Sequence, residues 1–266
     1  MKIGKYLLVA LVVMGFASMV YAAPVGLTSE ADATKSVLWP EKDYGISAAL
    51  IGDFVTERKI NIDSGNFEMR ALMLRLGLSL IDRLNFYVDL GQAQDMEYTY
   101  LIMGEKHELD FDDDFIYGVG LSALVYRWDN GLEIGANVSY RQAEMSLDTV
   151  VKEGTTYEKG SGALSAINSG KFQETQTAIE LAWKTDYLIP YVGIKYSDVD
   201  VDADYTLLGA LVDANKSASE NIGLFVGLTI TPKLQALPNE AEQISINVEG
   251  RFVDEEAINA GITYKF

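Results

Sequence analysis

The chain has no cysteine and a single histidine, His107, among 266 residues. Without cysteine there is no disulfide framework, no thiolate nucleophile and no cysteine for a lipid anchor at an export processing site. One histidine and no cysteine also leave zinc without its usual ligands. Basic residues are scarce, 21 Lys and Arg against 39 Asp and Glu, for a formal net charge of -18. That balance argues against nucleic acid as a partner, because phosphate binding needs clustered cations. After the first 22 residues no run of about 18 uncharged apolar residues occurs, which excludes membrane-crossing helices. No Gly-x-Ser-x-Gly elbow is present, and His107 has no Asp-x-His pairing in Glu105-Lys106-His107-Glu108-Leu109-Asp110. These absences place His107 in a surface loop without an acid-base role.

The start of the chain is an export leader. Lys2 and Lys5 precede an apolar run from Tyr6 to Phe16, and Val20-Tyr21-Ala22-Ala23 offers small residues for processing. This is a secretory signal peptide over 1–22, cleaved after Ala22, with Ala23 the next choice. Its removal takes Lys2 and Lys5 from the 21 basic residues and none of the 39 acidic ones, so the mature chain is more acidic still. Residues 23–43 form a polar lead-in without sustained periodicity.

From Tyr44 onward, ten segments alternate apolar and polar residues with the period of two that marks β-strands. In the clearest, Leu72, Leu74, Leu76, Leu78 and Leu80 oppose Ala71, Met73, Arg75, Gly77 and Ser79, a spacing that a helix would scatter around its cylinder. Leu132, Ile134, Ala136, Val138 and Tyr140 oppose Glu133, Gly135, Asn137, Ser139 and Arg141 just as regularly. Asp82-Arg83 and Asn130-Gly131 supply hairpin turns, and Gly118-Val119-Gly120 falls inside a strand, where its glycines mark close backbone approach. In the last segment, Ile258, Ala260, Ile262, Tyr264 and Phe266 alternate with Asn259, Gly261, Thr263 and Lys265. The fold class is all-β and antiparallel, up-and-down, with ten strands; eight or twelve also satisfy the pattern.

Tyr264, Lys265 and Phe266 resemble the terminal signature of Gram-negative outer-membrane β-barrels. The resemblance implies a transmembrane barrel over 44–266, exported by the Sec route, with Tyr264 and Phe266 as the signal read by the barrel-assembly machinery. It implies outer-membrane lipid and lipopolysaccharide around the greasy face and a polar lumen inside. Residues 23–43 become a periplasmic tail, or alternatively a small plug. The links near 82, 129 and 186 are tight, whereas those around 57–66, 95–110, 148–171 and 203–218 are long, as periplasmic turns and external loops differ in such barrels. The stretch 148–171, rich in Gly, Ser and Thr, reads as a mobile loop. The alternation breaks at the long link 233–242 and the short Asp254-Glu255.

The faces assigned inward carry Asp53, Asp89, Glu133, Glu180 and Glu249 with Arg75, Arg141, Lys184, Lys195, Arg251 and Lys265. A nearly balanced lumen either cross-links the wall or forms a charged constriction for small solutes. The external loops hold the excess acid. Asp198, Asp200, Asp202 and Asp204 share one face of an extended strand, as a solvated acidic edge or a weak calcium site. An EF-hand is ruled out, since Ala203 stands where its glycine belongs and Gly209 where its glutamate belongs. The expectation is a barrel without enzyme activity or organic cofactor: a small porin-like or structural protein, or alternatively one that binds a surface ligand through its loops, with an outer-membrane enzyme third for want of catalytic motifs.

Overall fold

The computed structural model describes residues 44–60, 65–80, 83–102, 104–165, 168–185, 187–231 and 244–266. The leader, the lead-in over 23–43 and the link 233–242 lie outside them. Among the described residues fifteen strands follow one another: β1 (Tyr44–Ile60), β2 (Gly65–Leu80), β3 (Leu84–Ile102), β4 (Glu105–Phe111), β5 (Asp114–Arg127), β6 (Leu132–Met145), β7 (Leu147–Lys152), β8 (Thr155–Glu158), β9 (Ser169–Trp183), β10 (Leu188–Leu207), β11 (Ala210–Asp213), β12 (Lys216–Ser217), β13 (Ile222–Ile230), β14 (Ile244–Phe252) and β15 (Glu255–Lys265).

Ten of them, β1, β2, β3, β5, β6, β9, β10, β13, β14 and β15, pair antiparallel in a closed ring. The seam is β1 against β15, in register from Ser47 opposite Lys265 to Arg58 opposite Glu255. Closure leaves no unpaired edge, which a sheet surrounded by hydrocarbon requires. The apolar half of each alternation faces out. Leu74 and Leu90, Leu76 and Val88, and Leu78 and Phe86 are paired across β2 and β3, and all six are exposed. Leaving a leucine in water forgoes about 2 kcal/mol, so this belt is a lipid-facing surface.

Above the belt the polarity inverts without a change of phase. On β10, Val192, Ile194 and Tyr196 face outward around inward Lys195; a few residues on, Asp198 and Asp204 face outward while Val199, Val201, Ala203 and Tyr205 are buried. These upper segments are ordinary water-facing strands around an apolar core. The stretches expected as loops are therefore largely strand. Residues 95–110 hold the end of β3 and most of β4; 148–171 holds most of β7, β8 and the start of β9; 203–218 holds the end of β10 with β11 and β12. Their charges read as loop because the acidic residues face water there, although the period of two continues.

The upper segments close a second ring. β4, β7 and β8 extend the sheet from β3. Bridges from Lys159 to Leu164 and from Leu164 to Leu207 carry it to β10, and β12 and Ala218 return it to Ile60 of β1. Its interior packs Ile60, Phe67, Met69, Tyr98, Leu109, Phe172 and Val201 into one core, with the Phe67 and Phe172 rings stacked at 5.2 Å. The wall is uneven, since β13 and β14 are nine residues long and β10 is 20.

Candidate functional site: the filled lumen

Within the belt, glycines admit aromatic rings into the lumen. Gly120 lies opposite Tyr87 and Gly227 opposite Tyr191. A Cβ at Gly120 would sit 2.2 Å from Cζ of Tyr87, and one at Gly227 would sit 2.1 Å from Cζ of Tyr191. Each ring thus lies flat over a neighbouring strand and fills the space a side chain would take. The close approach read from Gly118-Val119-Gly120 is this packing. Arg75 holds Asp89 through two hydrogen bonds, Nε to Oδ1 at 2.7 Å and Nη2 to Oδ2 at 2.8 Å, with its guanidinium 3.7 Å from the centre of the Tyr87 ring. Asn137 Nδ2 donates to the Tyr87 hydroxyl at 3.0 Å. Tyr191 donates to Glu249 at 3.0 Å, and Arg127 donates to Glu133 at 2.6 Å.

At the outer edge of the belt, eight charges meet. Arg141 pairs with Asp53 and Glu174. Arg58 reaches Glu174 at 3.4 Å, Asp254 at 3.4 Å and Glu255 at 3.2 Å. Lys195 binds Asp254 at 2.8 Å and also pairs with Glu255, while Arg251 lies 3.1 Å from Glu255 and 3.5 Å from Asp53. Four cations thus face four carboxylates, all buried. Such a set is tolerable only when complete, because removing one member strands its partner at a cost of about 3–5 kcal/mol. Between this network and the Arg75–Asp89 pair lies a cavity of about 20 Å³, lined by Arg75, Asp89, Ser139, Arg141, Glu174 and Gln176 among others. That is room for about one water. The apolar core closes the lumen above.

Of the residues assigned inward, Asp53, Arg75, Asp89, Glu133, Arg141, Glu180, Lys195, Glu249 and Arg251 are buried in the lumen. Lys184 and Lys265 are half-buried at the opposite end of the barrel, away from the eight-charge network. Arg58, Glu174, Asp254 and Glu255 complete the network and escape a strict reading of the alternation. A register shift between Val55 and Glu57 turns Arg58 inward, and Asp254 and Glu255 look like a solvated turn. Glu174 keeps the phase of Glu180 and was legible from it.

His107 is not in a loop. It sits on β4, 4% exposed, opposite Tyr100 with the rings stacked at 5.3 Å. Burial lowers its pKa from 6.5, and among the described residues Nδ1 has no hydrogen-bond partner. Tyr100 in turn shares a 2.5 Å hydroxyl contact with Tyr205. Asp198, Asp200, Asp202 and Asp204 stand in a row on the outward face of β10, so the strand spreads their carboxylates along a line. Ser217 donates to Asp200, and Asn221 donates to Asp198 at 3.2 Å. Burial together with Asp200 and Asp204 raises the pKa of Asp202. Among the described residues, no three His, Cys, Asp or Glu side chains are grouped to hold a metal. Tyr264 and Phe266 lie exposed at the opposite rim, their rings edge to face at 4.9 Å.

No family model and no curated protein matches this chain. Solved structures do. The outer membrane protease OmpT of Escherichia coli is 9% identical with a TM-score of 0.45, over 84% of this chain and 96% of that one. The translocator domain of the autotransporter NalP from Neisseria meningitidis is 10% identical with a TM-score of 0.45, over 90% and 93%. The outer membrane protein OprG of Pseudomonas aeruginosa is 11% identical with a TM-score of 0.39, over 85% and 96%. The lipid-facing belt and the closed ring of ten strands decide the fold. It is that of an outer-membrane β-barrel. A fold does not by itself set an activity, so the role of this barrel has to come from its own residues.

Proposed function

We propose that this barrel is a non-enzymatic surface-interaction protein, sealed to solutes in this conformation, that works through its outer ring. One observation carries the reading: among the described residues, side chains occupy the lumen from the glycine-seated rings through the eight-charge network to the apolar core, with a cavity of about 20 Å³ beside the network. Cross-linking of the wall is thus favoured over a standing passage for solutes. The outer ring instead presents a rigid acidic face, with Asp198 and Asp204 exposed on β10. Such a face attracts a partner with clustered positive charge and speeds its association. Lipid and lipopolysaccharide would surround the belt, and Tyr264 with Phe266 would present the assembly signal. His107, buried against Tyr100, fits packing better than proton transfer, which supports the reading without catalysis.

Planar-bilayer recording of the refolded chain tests the seal. Silence in molar salt is expected, and steady open steps from the wild-type protein would overturn it. Binding to immobilised polylysine tests the acidic face: replacing Asp198, Asp200, Asp202 and Asp204 by Asn should weaken it, with the barrel intact.

A further inference from the structure

A lysine, a carboxyl group and a second acid meet away from water where the β14–β15 turn folds into the lumen. Lys195 of β10 is 2% exposed, Asp254 is 0% and Glu255 is 3%. Nζ of Lys195 lies 2.8 Å from Oδ2 of Asp254 and also pairs with Oε1 of Glu255. Gly223 of β13 stands opposite Lys195 and makes the meeting possible. A Cβ there would lie 2.6 Å from Cγ of Asp254 and 2.9 Å from Cε of Lys195, so both side chains lie over the same bare stretch of backbone. The turn that aims Asp254 inward is strained, since Val253 has φ 86, in the left-handed region that a β-branched residue avoids. Glu255 is fixed in place, in register with Arg58 across the β1–β15 seam and held by Arg58 at 3.2 Å and Arg251 at 3.1 Å. Asp254 is less settled: its contact with Lys195 lacks the angles of a hydrogen bond, and neither oxygen has another among the described residues.

We infer that these three residues make a covalent cross-link, an isopeptide bond between Nζ of Lys195 and Cγ of Asp254, with Glu255 moving the protons. The reaction is a single turnover of the chain on itself and needs no other reactant. One proton passes from Nζ to Glu255 and on to Oδ1 of Asp254, giving a neutral amine and a neutral acid, a step that a water-excluding site makes less costly. Nζ then attacks Cγ: the N–C bond forms and the carbonyl electron pair moves onto Oδ2, where Nη1 of Arg58 at 3.4 Å faces the developing charge. Glu255 takes a second proton from the nitrogen and gives it to Oδ1, the bond from Cγ to Oδ1 breaks, and water leaves. Nothing is oxidised or reduced. Groups held in contact in this way react as if at a concentration on the order of 10⁵ M or more. The charge balance of the lumen survives, because one cation and one carboxylate disappear together and Arg58, Arg141 and Arg251 remain with Asp53, Glu174 and Glu255. The bond fastens β10 to the β14–β15 turn across β13, where the wall is shortest: β13 and β14 pair from Leu224 opposite Phe252 to Ile230 opposite Ile246. A chain without cysteine has no disulfide for this purpose. Closing a loop of about 60 residues restricts the unfolded chain as a disulfide does.

The test is the intact mass of the full chain, first unfolded in urea and then after refolding into detergent. The refolded chain should be lighter by one water, and trypsin should release residues 185–216 joined to 252–265, uncut after Lys195. A barrel that shows the heat-modifiable gel mobility of a folded protein, yet keeps its full mass and yields 185–195 and 252–265 as separate peptides, overturns the cross-link. A loss of water carried by the linear 252–265 peptide, the mark of a cyclised aspartate, overturns it too. Glu255→Gln should refold without losing water, and the joined peptide from that variant would remove Glu255 from the reaction. If Glu255→Gln fails to fold, Glu255→Asp serves, since it keeps the charge: it should lose water more slowly than wild type after refolding, and an equal rate would refute the role of Glu255.

Discussion

Gly120→Ala would test whether the lumen is filled by rings seated on glycine. The added methyl group would lie 2.2 Å from Cζ of Tyr87, well inside contact distance, and the ring would have to swing away. Tyr87 would then lose the Arg75 guanidinium at 3.7 Å and the hydrogen bond from Asn137 at 3.0 Å. A cation over an aromatic ring is worth about 1 kcal/mol and the hydrogen bond about 1 kcal/mol, in line with the usual 1–3 kcal/mol for overpacking. The expected loss is about 2 kcal/mol. The same substitution should be neutral or slightly stabilising in a Tyr87→Ala background, where the space is open and alanine is less costly than glycine in a strand. Thermal melts in detergent micelles followed by near-UV circular dichroism, for wild type, both single variants and the double, give the coupling directly. An equal cost of Gly120→Ala in both backgrounds would refute the seated-ring account.

Other expectations follow from the charges. Arg75→Met alone strands Asp89 and should cost about 3 kcal/mol, whereas Arg75→Met with Asp89→Leu should recover most of it, read by the same melts. For His107, the folded pKa lies below the unfolded value of about 6.5. The unfolded form therefore takes up the proton first. The stability His107 supports is complete above that value and declines as pH falls from it toward the lower folded pKa. Lys152 opposite it on β7 works against protonation, and Glu105 and Glu153 favour it. The protection factors of the β4 amides, referenced to the slower intrinsic exchange at lower pH, should fall on acidification, and His107→Phe should remove that dependence. Replacing the four aspartates of β10 by Asn should leave melting within about 0.5 kcal/mol, as surface changes usually do.

The alternation in the sequence told inside from outside for the whole belt, because lipid on one side and packed side chains on the other impose opposite demands on odd and even positions. Arg75 and Asp89 were assigned inward on parity alone, and they are direct cross-strand partners. The outer ring was harder to read. There the outward face is polar, so Asp198, Asp200, Asp202 and Asp204 read as the acidic edge of an external loop even in an extended strand, and nothing in that reading marks Val199, Val201 and Tyr205 as a buried core. The network was half visible for a related reason. Parity fails at the bulge before Arg58, and a turn that folds inward gives Asp254 the appearance of a solvated residue.

The second ring also bears on the order of assembly. Its bridges join Ile60 to Ala218 and Leu164 to Leu207, residues far apart along the chain. In the lower ring, β13, β14 and β15 stand between β10 and β1. Ile60 and Ala218 are brought together only once those late strands have been inserted and the circle is complete. Protection of the uppermost amides should therefore arrive last, so that the part of the molecule farthest from the lipid reports that insertion has finished.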